Sequence, residues 1–297
     1  MLPVSVVIPT YRRRVELGVA IGKILDSRPA PLEILVHVDA GDVETEPWLR
    51  AEFPVVRVLQ STDRMGPGGG RNKLVAAARS EIVASFDDDS YPLDTDYFAR
   101  LSEVFSRRPD AAVVASQIVH RGEPVPGAAA AVGPSVMFVG CGVAYRRRVF
   151  LECGGYIPLA MAYGMEEVDL ALRLACRGRN VYFTPWLRVF HDTDLSHHGS
   201  AAITAASIAN LALLVYLRYP PSYWPYGSLQ IINRVLWLVR AGRLRGIVAG
   251  LCGIPAHIWR HRRFRDTVSS PGLAAFLRAR HSPTPLEPLG VDPEPGS

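Results

Sequence analysis

Three adjacent carboxylates, Asp87, Asp88 and Asp89, close the apolar run Ile82-Val-Ala-Ser-Phe86, with no basic residue among them. Adjacent anions repel one another unless a cation sits between them. Hard divalent ions take carboxylate oxygens and share their other positions with substrate phosphates, so the cluster points to Mg2+ or Mn2+ and a diphosphate. A solvated acidic turn or a helix N-terminus would use the same letters. Asp39, which ends a second apolar run (Glu33–Val38), and a glycine-rich segment just upstream of the cluster favour the metal reading.

That segment, Gly66-Pro-Gly-Gly-Gly70-Arg-Asn-Lys73, resembles a phosphate loop. It lacks the Gly-Lys-Ser/Thr of a P-loop and does not form GxGxxG. Two readings are left. In one, a glycine loop enters a helix whose free amides, with Arg71 or Lys73, face an anion. In the other it is a plain flexible turn. Further on, Gly164-Met-Glu-Glu-Val-Asp-Leu-Ala-Leu-Arg173 opens a helix on which Asp169 and Arg173 pair at a spacing of four. One of its glutamates, Glu166 or Glu167, can point into a site as a general base, or both can be acids enriched at a helix start. His191 ends the extended run Leu187–His191 and can be structural or a neutral imidazole ligand; His197-His198 is a weaker pair.

These residues need a frame. Extended runs at Ser5–Ile8, Glu33–Val38, Val55–Leu59, Ile82–Phe86 and Ala111–Ala115 alternate with helical spacing at Val15–Leu25, Gly70–Arg79 and Tyr97–Phe105. This alternation predicts an α/β fold, a mostly parallel sheet covered by helices. Ligands then sit beyond the carboxyl ends of strands, so Asp39 and Asp87–Asp89 should share one crevice. The Gly, Pro and Ala-rich stretch 122–134 reads as a loop. Residues 201–218, 229–241 and 246–263 read as helices, the first two parted by the Pro-rich stretch Tyr219–Tyr226. The chain thus divides into 1–115, 116–200, a helical extension over 201–265, and a Pro-punctuated tail over 266–297 expected to be disordered.

The 297 residues suffice for a large core, and the four cysteines show no close pairing, which predicts reduced thiols. The short N-terminal apolar run is followed, not preceded, by Arg12-Arg13-Arg14, unlike a signal peptide, so a cytoplasmic location is expected. Residues 201–265 hold nine Arg and no Asp, Glu or Lys, leaving 24 basic against 28 acidic residues elsewhere. A basic, apolar extension suits an anionic membrane surface, such as the inner face of the cell membrane, better than nucleic acid. No segment there is a clean spanning helix, and interfacial helices or a packed helical cap both fit.

Together the motifs resemble the inverting family 2 glycosyltransferases of the GT-A fold. The likeness runs from Val4-Ser-Val-Val-Ile-Pro-Thr-Tyr11 through Val38-Asp39, the glycine segment with Arg71-Asn72, and Asp87-Asp-Asp89 in the place of the DxD motif. It continues through Cys141-Gly-Val-Ala-Tyr145-Arg, Gly154-Gly-Tyr156 and Glu166-Glu-Val-Asp169-Leu-Ala-Leu-Arg173, and covers about residues 3–195. The resemblance implies a Rossmann-like mixed sheet flanked by helices, with the C-terminal helical extension outside it. It implies a nucleotide-sugar donor (UDP-, dTDP- or GDP-linked) bound by Pro9, Thr10, Tyr11, Asp39, Gly66, Arg71, Asn72, Asp87 and Asp88. A divalent metal, Mn2+ or Mg2+, would be held by Asp89, Asp87 and His191, with Asp89 the direct ligand. Gly142, Gly155, Tyr156, Asp169 and Arg173 would lie on the acceptor or sugar side. Glu167 stands where the family usually has an Asp base, with Glu166 adjacent, and Asp39-Ala-Gly-Asp42 replaces the usual Asp-Gly-Ser. The acceptor would be a glycan, a lipid-linked molecule or a small molecule, in polysaccharide or glycoconjugate biosynthesis. Two alternatives stand beside it: a nucleotidyltransferase of similar fold, and a non-catalytic sugar-binding or membrane scaffold protein.

Overall fold

A computed structural model describes residues 1–193, 200–280 and 285–290; His197-His198 and residues 291–297 lie outside the described residues. The first half builds a parallel sheet from β1 (Val4–Thr10), β2 (Glu33–Val38), β3 (Val56–Gln60) and β4 (Ile82–Phe86), in the order β3-β2-β1-β4. Helices α1 (Arg14–Leu25), α2 (Thr45–Glu52) and α3 (Gly66–Ala77) follow its strands. Every residue of β1 is buried, because helices cover both sheet faces. Val6 and Ile8 pack with Leu17 and Ile21 of α1, and Val7 on the opposite face packs in the cluster that includes Leu74 and Val75 of α3. The register Thr10↔Val38 brings two strand ends level, so Tyr11–Arg13 and Asp39 lie along one carboxyl edge.

The second half turns the sheet mixed. It adds β5 (Ser90–Pro92), α4 (Tyr97–Arg107), β6 (Ala111–His120), β7 (Ala131–Ser135), β8 (Gly142–Arg146), α5 (Arg147–Glu152), α6 (Glu166–Cys176) and β9 (Asn180–His191). Strand β8 runs antiparallel between β4 and β6, while β6 and β9 are parallel. The mostly parallel sheet read from strand and helix alternation therefore holds for its first half; the chain reverses after β6 without a helical crossover, so β7 and β8 both run opposite to β6 and β9. The short β5 pairs antiparallel with β9 through Ser90↔His191, which sets the histidine beside the aspartate cluster.

The helical extension comprises α7 (Ala201–Arg218), α8 (Trp224–Arg240) and α9 (Ile247–His261). By length and composition α7 could cross a membrane, but 56% of it is buried in the protein. Ile208, Leu213 and Leu217 have no exposure, and Arg218 reaches Asp169 of α6. Asn210 donates its amide to the carbonyls of Met161 and Tyr163 at 3.0 and 3.1 Å and meets His257 of α9 at 2.9 Å. The extension is thus fastened to the segment 160–164 and to α6.

Two segments depart from the sequence reading. Gly66–Gly70 is the opening of α3 rather than a loop, with Pro67 in the first turn, where its missing N–H costs nothing. The expected disordered tail carries α10 (Ser270–Ala279) and a short edge strand, β10 (Glu287–Pro288), paired with β7. Ser269 caps α10 by accepting from Gly272, Pro271 fits its first turn, and Leu273 and Phe276, one turn apart, are buried. The same prolines that look like disorder in composition serve here as a helix start. The stretch read as a loop over 122–134 ends in β7, which lies between β9 and β10.

Candidate active site

A cavity of about 400 Å³ opens at the carboxyl edge, lined by the ends of β1, β2 and β4, by His191 and Thr193, and by Gly66, Pro67, Ala160 and Tyr163. Pro9, Thr10, Tyr11, Asp39 and Asp87–Asp89 all face it, so the predicted crevice exists. The cation between the aspartates is Arg13. It donates to Asp88 Oδ1 at 2.8 Å and lies 2.9 Å from Asp89 Oδ2. Asp88 also accepts from the Thr10 hydroxyl at 2.8 Å. Burial pushes the Asp88 carboxyl up to about 7 even with Arg13 beside it. Tyr11 lies under Arg64, whose guanidinium is 4.6 Å from the ring centre, a cationic and aromatic rim on the cavity.

Asp89 Oδ1 is buried without a hydrogen-bond partner, 3.2 Å from His191 Nε2. An orphaned carboxylate oxygen facing an imidazole nitrogen fits a divalent cation between or beside them. The other ring nitrogen, Nδ1, lies 3.6 Å from Cys141 Sγ, and Asp87, Cys141 and His191 also bring ligand atoms within 4.8 Å of one another. Asp89 and His191 line the cavity, whereas Cys141 is buried behind it. Burial also holds the Cys141 thiol protonated, well above its ordinary range. An ion that also meets a ligand in the cavity therefore belongs on the Nε2 side, with Cys141 as the partner of Nδ1. Burial lowers the His191 pKa, but the close contact with Asp89 and the negative charges of Asp87 and Asp89 outweigh it and the net shift is upward.

Of the two readings of the glycine segment, the helix opening holds, but its first amides face a carboxylate of the protein itself. Asp39 already accepts from the amides of Met65 and Gly66 at 2.9 and 3.0 Å, so an internal carboxylate takes the helix start. The glycines serve close packing. A Cβ on Gly68 would stand 2.3 Å from Glu166 Oε2, and one on Gly70 2.6 Å from His37 Nδ1. Arg71 is fully buried instead of facing the cavity. It pairs with Asp87, lies 3.2 Å from Glu166 Oε1, and donates to Ser85. Asn72 is likewise turned inward, bonding both the N–H and the carbonyl of Tyr156 at 2.8 Å. Both side chains lie beyond the first turn of α3, on the face that packs against the protein, which is why neither reaches the cavity.

Glu166 and Glu167 line a second cleft, of about 590 Å³, that shares Pro67, Ala160 and Tyr163 with the first. Its remaining wall includes Ile203 of α7 and Arg234 of α8. Glu166 is buried and committed to Arg71, and its Oε2 has no partner. Burial, reinforced by the charge of Glu167 and opposed by Arg71, raises its pKa to about 8. Glu167 is the more exposed of the two, and its Oε1 accepts from the Gly140 amide at 3.3 Å. Burial raises its pKa as well, against the pull of Arg71. A carboxylate held toward neutrality is suited to taking up a proton.

The predicted acceptor-side residues split from this cleft. Asp169 and Arg173 pair at 2.7 Å, but Asp169 has no exposure and Arg218 joins it in a buried Arg–Asp–Arg triad. A Cβ on Gly142 would stand 2.4 Å from Ile118, inside the sheet. Gly155 adopts a φ of +60° against Asn72, and Tyr156 is buried with its hydroxyl 2.6 Å from that of Tyr145. These five hold the frame of the cleft and do not line it.

Sequence reasoning missed Arg13, Arg64, His37, Tyr163 and Thr193. A basic cluster directly after the first strand was the available signal for Arg13. His37 was hidden inside an apolar strand; its Nε2 meets Ser61 Oγ at 2.6 Å, and burial lowers its pKa.

Residues 5–130 match the family model described as Glycosyl transferase family 2. The uncharacterized protein y4gI of Sinorhizobium fredii is 23% identical over 225 residues, covering 65% of this chain and 25% of its own length. Among solved structures, GalNAc-T7 with UDP, GalNAc and Mn2+ superposes with a TM-score of 0.59 at 16% identity, over 74% of this chain and 49% of that one. The mannosyltransferase PcManGT of Pyrobaculum calidifontis, in complex with GDP-Man and Mn2+, gives 0.56 at 17%, over 95% and 87%. Residues 1–349 of S. aureus TarS with UDP-GlcNAc give 0.55 at 12%, over 88% and 92%. The chain spans about a quarter of y4gI and about half of GalNAc-T7. The family match ends before Cys141, Glu166–Glu167 and His191, whose placement rests on the geometry above. Residues 5–130 thus carry the likeness to the family 2 glycosyltransferases, and the chain shares the GT-A fold of the superposed structures.

Proposed function

We propose that this protein transfers a sugar from a nucleoside-diphosphate donor to an acceptor hydroxyl, with inversion at the anomeric carbon. The observation that carries the reading is the pair of adjoining clefts, one walled by strand-end aspartates and His191, the other by Glu166 and Glu167. Asp89 and His191 Nε2 would hold a divalent ion, with Asp87 beside them. Structures of similar fold were determined with Mn2+, which agrees with this donor set. Such an ion supplies positive charge to a departing diphosphate. Arg13 is placed to move from Asp88 and Asp89 onto phosphate oxygens, since those carboxylates would then face the ion. Tyr11 and Arg64 offer a surface for the nucleotide base, and Thr10 and Asp39 fix the strand ends around it.

Glu167 is assigned as the base. It is less buried than Glu166, which spends Oε1 on Arg71. It would take the acceptor proton as the hydroxyl attacks from the face opposite the diphosphate, a single displacement that inverts configuration. The nucleotidyltransferase alternative fits less well, because the glycine segment is packed into the start of α3 with its amides taken by Asp39.

The extension supports a peripheral seat on an anionic membrane. On α8, Leu229, Ile232 and Leu236 are about half exposed, and Val248 and Trp259 of α9 are more so. Arginines and no acids accompany them, the composition of an interfacial surface. Incubation of the protein with UDP-, GDP- and dTDP-sugars and Mn2+ tests the donor half. Nucleoside diphosphate release from at least one sugar, abolished by chelation, is expected; release from none would overturn the reading.

A further inference from the structure

We propose that the cleft beside Glu166 and Glu167 selects an acceptor carrying an anionic group, read by Arg234, and that this acceptor is borne on a membrane amphiphile. The inference rests on the transferase reading and names its acceptor class. The cleft is built by two parts of the chain. The 160–164 segment and the start of α6 bring the carboxylates, while α7 and α8 bring Ile203 and Arg234. Two glutamates alone would repel an anionic acceptor. Arg234 changes that balance. It is partly buried, packs its guanidinium 5.6 Å from the Trp237 ring centre, and has no carboxylate partner among the described residues. The whole extension contains no acid to pair with it. Fifteen other arginines among the described residues are tied into ion pairs with carboxylates, including Arg13, Arg71, Arg173 and Arg218. A half-buried guanidinium left without one, in a cleft that leads to the reacting centre, is suited to a phosphate or carboxylate of the ligand.

The lipid source follows from what adjoins the cleft. Arg234 lies on the same helix as Leu229, Ile232 and Leu236, which are exposed at 52%, 54% and 45%. Their spacing of three and four puts them on one stripe of α8. Trp237, stacked with Arg234, is 48% exposed. An amphiphile whose headgroup reaches Arg234 would have apolar protein surface beside it for its tail end, and Arg240 and Arg245 near the lipid headgroups.

Glycerol 3-phosphate, which joins hydroxyls to a phosphate, is the probe. It is titrated into the full chain with Mn2+, both nucleotide-free and saturated with whichever of UDP, GDP and dTDP binds. The inference expects binding that survives nucleotide saturation and exceeds that of glycerol. Arg234→Ala should weaken it by roughly 10- to 100-fold, the span expected for one hydrogen bond to a charged group, and Arg234→Lys should restore part of it. Unchanged affinity in Arg234→Ala, equal binding of glycerol, no binding at all, or displacement by the nucleotide would each overturn it. The thermal unfolding midpoint of each variant reports an intact fold. Phosphatidylglycerol vesicles should bind at least about tenfold tighter per headgroup than free glycerol 3-phosphate, because the α8 stripe adds apolar contact. Equal affinity would overturn the lipid source. Failure of all three nucleotides to bind would count against the transferase reading, and the Arg234 arm is decided without them.

Discussion

At the scale of single residues, charge placement separates roles that the sequence left merged. Glu166 and Glu167 are neighbours, yet one faces Arg71 while the other accepts from the Gly140 amide and is the more exposed in the second cleft. Glu167→Gln should lower transfer by about 10²-fold or more, the usual contribution of a positioned base, while donor binding persists. Glu166→Gln should instead disturb Arg71 and cost stability, seen as a lower unfolding midpoint. A larger loss of turnover in Glu166→Gln with the fold intact would reverse the assignment. Because burial raises the Glu167 pKa, the deprotonated base becomes available only above the ordinary carboxylate range. Transfer should therefore rise with pH along a limb displaced upward from the model-peptide value of about 4.3. A limb centred at or below that value would contradict this. The acidic cluster and His191 were legible as types and spacing. Arg13 was not given a role, because its three-arginine run carries no partner information until β1 and β4 are set side by side.

At the scale of elements, glycines and prolines changed meaning once their neighbours were present. Four glycines in five residues read as a loop, yet they let α3 start against Leu159, Tyr156 and His37. Gly66 alone needs a positive φ, at +67°. Gly70→Ala, whose methyl would press on His37 and Pro9, should lower stability by about 1–3 kcal/mol, as overpacking does, measured by denaturant unfolding. An unchanged midpoint would show that the helix can shift to make room. Strands and helix periods in the first half were readable because short apolar runs there alternate with helical spacing. The reversal of β8 and the helix at 270–279 were not, since both depend on long-range pairing. Asp169 and Arg173 were correctly paired by spacing, but Arg218, 45 residues further on, could not be placed from sequence. Asp169→Asn should destabilise the protein by about 3–5 kcal/mol, because it leaves buried arginines uncompensated.

At the scale of the whole molecule, the sheet edge, the 160–164 segment and the helical extension form one working unit. Asn210 and Arg218 tie α7 to the segments that frame both clefts, so the extension helps to build the candidate site, and we propose its exposed α8 stripe as the surface for lipid. Replacing Leu229, Ile232 and Leu236 with Ser should abolish co-flotation with anionic vesicles while the unfolding midpoint holds, and undiminished flotation would remove α8 from the membrane contact. The GT-A frame was legible from the order of motifs, whereas the joining of extension to site required the packing of α7. The central claim is that Asp89 and His191 hold a divalent ion that in turn holds a nucleoside diphosphate. Calorimetric titration of UDP, GDP and dTDP, with Mn2+ and with chelator, tests it most directly. The account predicts that at least one nucleotide binds only with Mn2+, and that Asp89→Ala and His191→Ala each remove this dependence together with the binding; nucleotide affinity indifferent to metal and to both substitutions would contradict it.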